Sequence, residues 1–197
     1  MVFDIIKIME FKKNEIIIKR ELSELDFFTL KFINILKKHS EYAVISGYVA
    51  IVLGRARASE DVHMIILRMD YEKFIKLLND IKKAGFYCLN TEDEKEAYDY
   101  LKDNLAVRFA EKEKVIPNIE MKFAKNKIDE ISLKNKIRVR LGKDEIITSS
   151  LEMQVAFKEG LLKSQKDIED ARHIRNIANL DESLIKRYKA MINEVYR

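Results

Sequence analysis

The sequence has few of the residues that cross-link a chain or interrupt its regular structure: one cysteine, one proline, five glycines and no tryptophan among 197 residues. With Cys88 as the single cysteine, the chain can form neither an intramolecular disulfide nor a CxxC-type zinc site. No stretch has the composition of a flexible linker. We expect a cytoplasmic protein made of one compact domain, or of a domain with a closely packed helical appendage.

Uninterrupted apolar runs are also missing. The first twenty residues, MVFDIIKIMEFKKNEIIIKR, are broken by charged side chains, which excludes a signal-peptide core and a membrane span. Charged residues make up 36% of the chain, yet the formal net charge is only +4, so the two signs are interleaved. This balance predicts a well-solvated surface and no membrane partner, and it makes a dedicated nucleic-acid binder the least expected class.

Apolar spacing and cap residues divide the chain into alternating helices and strands. Ser23 with Asp26 three positions later predicts a helix that runs to about Lys38. The same criteria predict strands at 42–45, 61–67, 86–89, 105–110, 119–123 and 137–141, a short helix that stops at Gly54, and helices at 70–85, 92–103, 150–162, 165–178 and 182–195.

This order of elements predicts an α/β (α+β) fold. Helices and strands alternate in the first half, and strands followed by a helical tail make up the second half. We expect an α/β core over residues 1–148 and a C-terminal helical segment over residues 149–197 that packs on the core as a cap.

The first candidate for chemistry is the turn Ser46-Gly47, where a strand meets a helix. Free backbone N–H groups and the helix dipole at such a turn can receive a phosphate. Asp61 and His63 follow on one strand, two residues apart and therefore on the same face. Glu120, which alternates with apolar residues in NIEMKF, could come alongside as a third ligand. Three such groups could hold Mg²⁺ against a triphosphate.

Each candidate also has a purely structural interpretation. Ser46-Gly47 could be an ordinary turn, Asp61 could cap a turn, and Glu120 could face solvent on an edge strand. Arg55 and Arg57 suit a solvated loop as well as a triphosphate or RNA. Asp167 and Asp170 could instead form ion pairs within a helix, with Lys163 and Lys166 respectively, each four residues away.

The stretch ISGYVAIVLGRARASEDVH resembles the signature of the nucleotidyltransferase (polymerase β-like) superfamily. It is similar to small prokaryotic and archaeal members akin to the abortive-infection toxin nucleotidyltransferases. A Gly-Arg-x-Arg-x-Thr/Ser-Glu-Asp run is matched by Gly54, Arg55, Arg57, Ser59, Glu60 and Asp61. Lys158 and the segment 166–170, KDIED, resemble the helical Lys then Lys-Asp-x-x-Asp segment of that group. The resemblance covers about residues 40 to 175.

The resemblance implies a nucleotidyltransferase-like mixed sheet flanked by helices. It further implies transfer of a nucleoside monophosphate from a nucleoside triphosphate (NTP) to a hydroxyl of RNA or protein, with Mg²⁺ or Mn²⁺ as cofactor. The catalytic residues would be Asp61, His63, Glu120 and Lys158, the first three of which would hold the metal. The nucleotide-binding residues would be Ser46, Gly47, Arg55, Arg57, Ser59 and Asp170.

Two positions depart from the family pattern. Ser46 replaces the first turn glycine, and a small hydroxyl residue still lets a phosphate approach. His63 stands where the family has its second catalytic carboxylate. An imidazole offers one lone pair and no negative charge, whereas Mg²⁺ prefers oxygen ligands; Mn²⁺ or Zn²⁺ tolerates nitrogen.

Two further classes of function stay open, and His63 favours the first of them. One is a catalytically degenerate relative that binds a nucleotide or a partner protein, as in a toxin–antitoxin-like pair. The other is an RNA-binding protein that uses the basic stretch KNKIRVR at 134–140 together with RARA at 55–58.

Overall fold

The structure of the protein is a computed structural model, and it describes residues 9–196. The described residues form one mixed sheet flanked by helices, which confirms the predicted fold class. The strands are β1 (Met9–Lys12), β2 (Glu15–Ile18), β3 (Tyr42–Ile45), β4 (Asp61–Ile66), β5 (Phe86–Cys88), β6 (Val107–Glu111), β7 (Asn118–Phe123), β8 (Lys136–Leu141) and β9 (Asp144–Ser149).

The helices follow the cap signals of the sequence closely. They are α1 (Glu24–Leu36), α2 (Gly47–Val52), α3 (Tyr71–Lys83), α4 (Glu94–Lys102), α5 (Lys127–Lys134), α6 (Leu151–Phe157), α7 (Gln165–Ile177) and α8 (Glu182–Val195), with a π-helical turn at Lys158–Leu162. Ser23 and Asp26 form the predicted capping box at the start of α1. Asp70 caps α3 as expected, by accepting a hydrogen bond from the backbone N–H of Lys73.

The nine strands of the described sheet run in the order β1-β2-β8-β9-β3-β4-β7-β6-β5. At its centre, β3 and β4 are antiparallel, and β4 and β7 are parallel. The predicted strands β6 and β7 pair antiparallel, and Pro117 lies in their connection, as expected. Strands β3, β4 and β7 carry the predicted site, and their pairing decides which of its residues meet.

Three features were not expected from the sequence. The segment after the Gly142 turn was predicted to be helical, but residues 144–149 form β9, which pairs with β8. Helix α5 was not predicted, although Asn126 caps it. The β1–β2 hairpin was not predicted either. All three are short, and the two sheet pairings form with partners that periodicity within one segment does not reveal.

Different sets of residues pack on the two faces of the sheet. The even-numbered residues of β4, Val62, Met64 and Ile66, belong to the main hydrophobic core. On the opposite face, Ile65 packs in a small separate cluster with Leu133 of α5. Because side chains alternate along a strand, His63 shares the face of Ile65. The candidate site therefore lies on the face covered by α5 and the C-terminal helices, away from the main core.

Candidate functional site

Strand pairing brings two of the predicted ligands side by side. In the register of β4 and β7, His63 is the direct partner of Glu120. In the register of β3 and β4, it is also the partner of Ile45, the residue before the Ser46-Gly47 turn. Asp61 lies two residues earlier on β4 and shares the face of His63. The sheet thus gathers the turn and the three predicted ligands at one end of β4.

The imidazole of His63 lies between the two carboxylates. Its Nε2 is 3.3 Å from Asp61 Oδ2, and its Nδ1 is 3.2 Å from Glu120 Oε1. An imidazolium satisfies this arrangement, because only the protonated ring carries an N–H on both nitrogens. The side chain of His63 is 30% exposed and that of Glu120 is 20% exposed, so solvent screens the contacts in part.

Glu120 is held from a second side by Arg108. The guanidinium Nε and Nη2 lie 3.0 and 2.9 Å from Glu120 Oε2. The hydrogen bond from His63 is the main cause that lowers the pKa of Glu120, to about 2; burial opposes the shift, and Arg108 adds to it. The Glu120 carboxylate is therefore an anion at every physiological pH, with one oxygen facing the His63 ring and the other facing the Arg108 guanidinium.

The predicted ligand set does not form a metal site in this arrangement and suits Mg²⁺ least. One oxygen each of Asp61 and Glu120 faces a nitrogen of the His63 ring, and Mg²⁺ prefers oxygen ligands to an imidazole nitrogen. Within residues 9–196, no group of three His, Cys, Asp or Glu side chains has a geometry that could hold a metal ion. Positive charge at this place comes instead from side chains of the protein.

The Ser46 turn has a backbone conformation that suits glycine. Ser46 has φ 67° and ψ −141°. Such a conformation costs a residue with a Cβ on the order of 1–3 kcal/mol. Its backbone N–H donates to Gln154 Oε1 at 3.0 Å, and Gln154 Nε2 donates to Ser149 Oγ at 2.6 Å. The chain thus retains a glycine-type turn with serine in it, fixed by a buried glutamine from the C-terminal helices.

Gly47 is closely approached by an arginine. A Cβ atom on Gly47 would lie 2.7 Å from Nη2 of Arg57, well inside van der Waals contact. The guanidinium of Arg57 therefore lies against the start of α2, and it also donates to Asp170 Oδ2 at 2.9 Å. The residue after the turn must be glycine for Arg57 to keep this position.

Asp170 is the centre of a buried ionic cluster. Its carboxylate is fully buried and receives Lys158 Nζ at 2.7 Å, Arg57 and Arg55. Arg55 also pairs with Glu169. These contacts connect the loop after α2 to helix α7, more than one hundred residues away in sequence. Each buried charge has a partner, as buried charges require.

The structure divides the predicted site residues into two groups. Arg55, Arg57, Lys158 and Asp170, assigned from the sequence to nucleotide binding and catalysis, bind one another. The other group surrounds the end of β4. In it, Ser59 Oγ donates to the backbone oxygen of Asp61 at 3.0 Å, which ties the loop to the strand.

A cavity of about 300 Å³ connects members of the two groups. Its lining includes four predicted residues: Ser46, His63, Glu120 and Lys158. Asp61 is not among the lining residues, and it reaches the cavity only through His63.

Sequence reasoning missed seven polar residues of the same lining: Lys122, Lys125, Asp129, Ser132, Ser149, Gln154 and Tyr196. Lys122 could have been found, because it lies two residues after Glu120 on the same face of β7. The others carried no local signal.

The basic stretch proposed for RNA binding is largely neutralised. Arg138 pairs with Glu145 at 3.1 Å, and Arg140 lies 3.7 Å from Glu15. Lys136 pairs with Glu41. Because these cations on β8 already face carboxylates, the stretch presents little free positive charge to a phosphate backbone.

Among residues 9–196, no helix is both long enough and apolar enough to cross a lipid bilayer.

Comparison with known proteins gives structural matches only. No protein-family model matches the chain, and no curated protein matches it. Solved structures match over most of both chains, and three of them illustrate the likeness. One is ANT(2'')-Ia in complex with adenylyl-2''-tobramycin, with a TM-score of 0.58, 12% identity, and coverage of 89% of this chain and 100% of that one.

The second is an antigenic nucleotidyltransferase-like protein from Paracoccidioides brasiliensis, with a TM-score of 0.52, 14% identity, and coverage of 88% of this chain and 89% of that one. The third is the lincosamide antibiotic adenylyltransferase LnuA, lincomycin-bound, with a TM-score of 0.52, 13% identity, and coverage of 81% of this chain and 100% of that one. At these identities the likeness concerns the fold: the protein has the nucleotidyltransferase fold.

Proposed function

We propose that the protein binds a nucleoside triphosphate in the cleft of its nucleotidyltransferase fold and does not carry out metal-dependent nucleotidyl transfer. The observation that carries the proposal is the position of His63, whose ring nitrogens lie 3.3 and 3.2 Å from the carboxylates of Asp61 and Glu120. His63, which stands where the family has a carboxylate, thus also contacts the two remaining carboxylates, those of Asp61 and Glu120.

Charge supports this proposal. A site that recruits Mg²⁺ has an excess of carboxylate oxygens. Here Glu120 faces both His63 and Arg108, so the two carboxylates are balanced by two cationic partners when His63 is protonated. A metal ion would have to displace the imidazole before it gained either carboxylate. The residues therefore favour binding over turnover.

Support for nucleotide binding comes from the start of α2, next to the cavity, and from the cavity wall. The glycine-type turn at Ser46 is retained, and the guanidinium of Arg57 lies directly against Gly47. Arginine presents five N–H donors, so a phosphate can share Arg57 with Asp170. Lys158 lines the same cavity. Of these groups, Ser46 and Lys158 line the cavity together with His63 and Glu120, and Arg57 lies beside it at Gly47.

A second candidate is transfer of a nucleoside monophosphate to a hydroxyl of RNA or protein. It is favoured by one observation, the common lining of one cavity by Ser46, His63, Glu120 and Lys158. In this case His63 would have to turn away from the carboxylates when the metal arrives. The similarity to abortive-infection toxins, with a toxin–antitoxin-like pair, and the cytoplasmic location stay predictions.

Labelled nucleotides separate the two candidates. The protein is incubated with each labelled NTP and Mg²⁺ or Mn²⁺, with cellular RNA present or absent, and thermal unfolding is measured in parallel. We expect stabilisation by the nucleotide, as for any ligand of the native state, and no transfer of label to RNA or protein. Transfer by the natural chain that disappears in Asp61→Ala would instead establish the second candidate. Absence of both stabilisation and transfer would contradict both.

A further inference from the structure

Asp129 of α5 has one carboxylate oxygen that is not satisfied. The side chain is 1% exposed, and its Oδ2 accepts a hydrogen bond from the backbone N–H of Lys125 at 3.1 Å. Within the described residues, Oδ1 accepts no hydrogen bond. Lys122 Nζ lies 3.5 Å from it as an ion-pair partner. Buried carboxylate oxygens normally accept hydrogen bonds, so a ligand that donates one to Oδ1 would remove the cost of leaving it without a donor.

The same aspartate lines the cavity that reaches the predicted phosphate turn. Ser46, Glu120 and Asp129 all belong to its lining. The volume of about 300 Å³ matches the lower end of small-molecule sites, which run from about 300 to 1,000 Å³. One molecule that fills it can thus reach both the turn and the aspartate.

The lining also limits the charge of that molecule. Lys122, Lys125 and Lys158 all contribute to the cavity, against the carboxylates of Glu120 and Asp129. A polycationic molecule would meet these three ammonium groups and is disfavoured. The wall also contains neutral polar side chains and an apolar and aromatic part, in which Phe157 and Tyr196 have a ring-centroid separation of 6.2 Å. The cavity therefore suits an uncharged ring system that carries a donor group and an anionic end.

We propose that the nucleoside part of the nucleotide occupies this cavity and that a hydroxyl or amino group of it donates a hydrogen bond to Asp129 Oδ1. The phosphates point toward Ser46 and Lys158, and the planar base packs against the aromatic wall. The inference rests on the proposed nucleotide binding and adds the recognition group, since no motif in the sequence marks Asp129.

The test substitution is Asp129→Asn. The backbone N–H of Lys125 holds the one oxygen that asparagine keeps, so the amide NH₂ faces the cavity and meets the donor of the ligand. Glu130→Gln removes one charge at an exposed position of the same helix and is the matched control. Binding of NTPs, of nucleosides without phosphate and of inorganic tripolyphosphate is measured by calorimetry on the full chain.

We expect Asp129→Asn to weaken NTP and nucleoside binding about tenfold or more, the value of a hydrogen bond to a charged group. Tripolyphosphate binding should not change, and Glu130→Gln should bind all ligands like the natural chain. A second variant tests the same proposal if Asp129→Asn does not fold. Leu162→Trp adds bulk at a lining residue that is 48% exposed, and it should block nucleosides while leaving tripolyphosphate binding intact.

The outcomes keep this inference apart from the proposed function. If NTPs bind the natural chain, Asp129→Asn and Leu162→Trp equally well, the nucleoside lies elsewhere; the inference is then overturned and nucleotide binding stands. If nucleosides bind in an Asp129-dependent way while no NTP binds, the cavity assignment stands and the proposed function falls. If no ligand in the series binds, both are overturned.

Discussion

His63 and Glu120 are direct neighbours across the parallel strands β4 and β7, with Nδ1 and Oε1 3.2 Å apart. The pairing register places the two side chains next to each other on one face of the sheet. A carboxylate at position 63 would repel Glu120 unless a cation lay between them. Histidine removes that requirement, since its ring can carry the positive charge itself.

The first prediction restores the carboxylate. His63→Asp should lower the free energy of unfolding by about 1–2 kcal/mol without divalent metal, because three carboxylates then crowd one end of β4. Mg²⁺ or Mn²⁺ should recover the loss, by mass action on the native state. Thermal unfolding with and without metal measures both effects.

His63→Asn is the control for that substitution. It removes the ring without adding a negative charge, so metal should change its unfolding temperature no more than that of the natural chain. If His63→Asp and His63→Asn respond to metal alike, the end of β4 is not a disabled metal site. A gain of label transfer in His63→Asp alone would show that the rest of the catalytic machinery is intact.

The second prediction concerns the strained turn. Ser46→Gly should stabilise the protein by about 1 kcal/mol, since glycine adopts positive φ freely and the relief of strain exceeds its larger entropy loss on folding. Ser46→Ala keeps the Cβ and should give no gain. Urea unfolding at neutral pH compares the three proteins. Equal stabilities of the glycine and alanine variants would mean that the backbone at position 46 is not strained.

The third prediction concerns the buried cluster around Asp170. Asp170→Ala leaves Lys158, which is 1% exposed, without its closest carboxylate, and should cost about 3–5 kcal/mol. Glu169→Gln removes a carboxylate from the same cluster, but this side chain is 43% exposed, so the cost should stay below about 1 kcal/mol. Chemical unfolding of both variants makes the comparison. Similar costs for the two variants would contradict the central position of Asp170.

How far the sequence predicts this protein depends on how local each signal is. The capping box of Ser23 and Asp26 lies within four residues, and α1 begins where it indicates. Strand β9 was missed because its identity depends on pairing with β8 and β3 across the sheet. Propensity within one segment does not contain that information.

In the candidate site, too, local signals could be read from the sequence and long-range contacts could not. Asp61, His63 and Glu120 were nominated from alternation on a strand and one resemblance, and the sheet places them together. Asp170 was paired with Lys166 four residues away, as a helix suggests, yet in the structure its partners are Lys158, Arg55 and Arg57. The unsatisfied oxygen of Asp129 exists only after α5 has packed on the sheet. Residue type and spacing nominate candidates, and long-range packing decides their partners.

The last prediction uses the pH dependence of stability at Asp26. Burial by itself raises the pKa of this carboxyl group, but hydrogen bonds from Arg20, Tyr48 and Ser23 outweigh it and lower the pKa below its ordinary value of 3.8. A group whose pKa is depressed in the folded state stabilises the protein above the unfolded value. That contribution is lost as the pH falls through the folded value.

Asp26→Asn removes the ionisable group and should cost about 3 kcal/mol at neutral pH, because Arg20 and the Tyr48 hydroxyl lose an anionic partner. The difference between the natural chain and this variant should narrow as urea unfolding is repeated from about pH 6 down to about pH 2. Glu24→Gln, an exposed first-turn position of the same helix, serves as the control and should leave the pH profile nearly parallel to that of the natural chain. A constant difference between Asp26→Asn and the natural chain over this range would mean that Asp26 has the same pKa folded and unfolded. The network around it would then stabilise α1 through packing and not through charge.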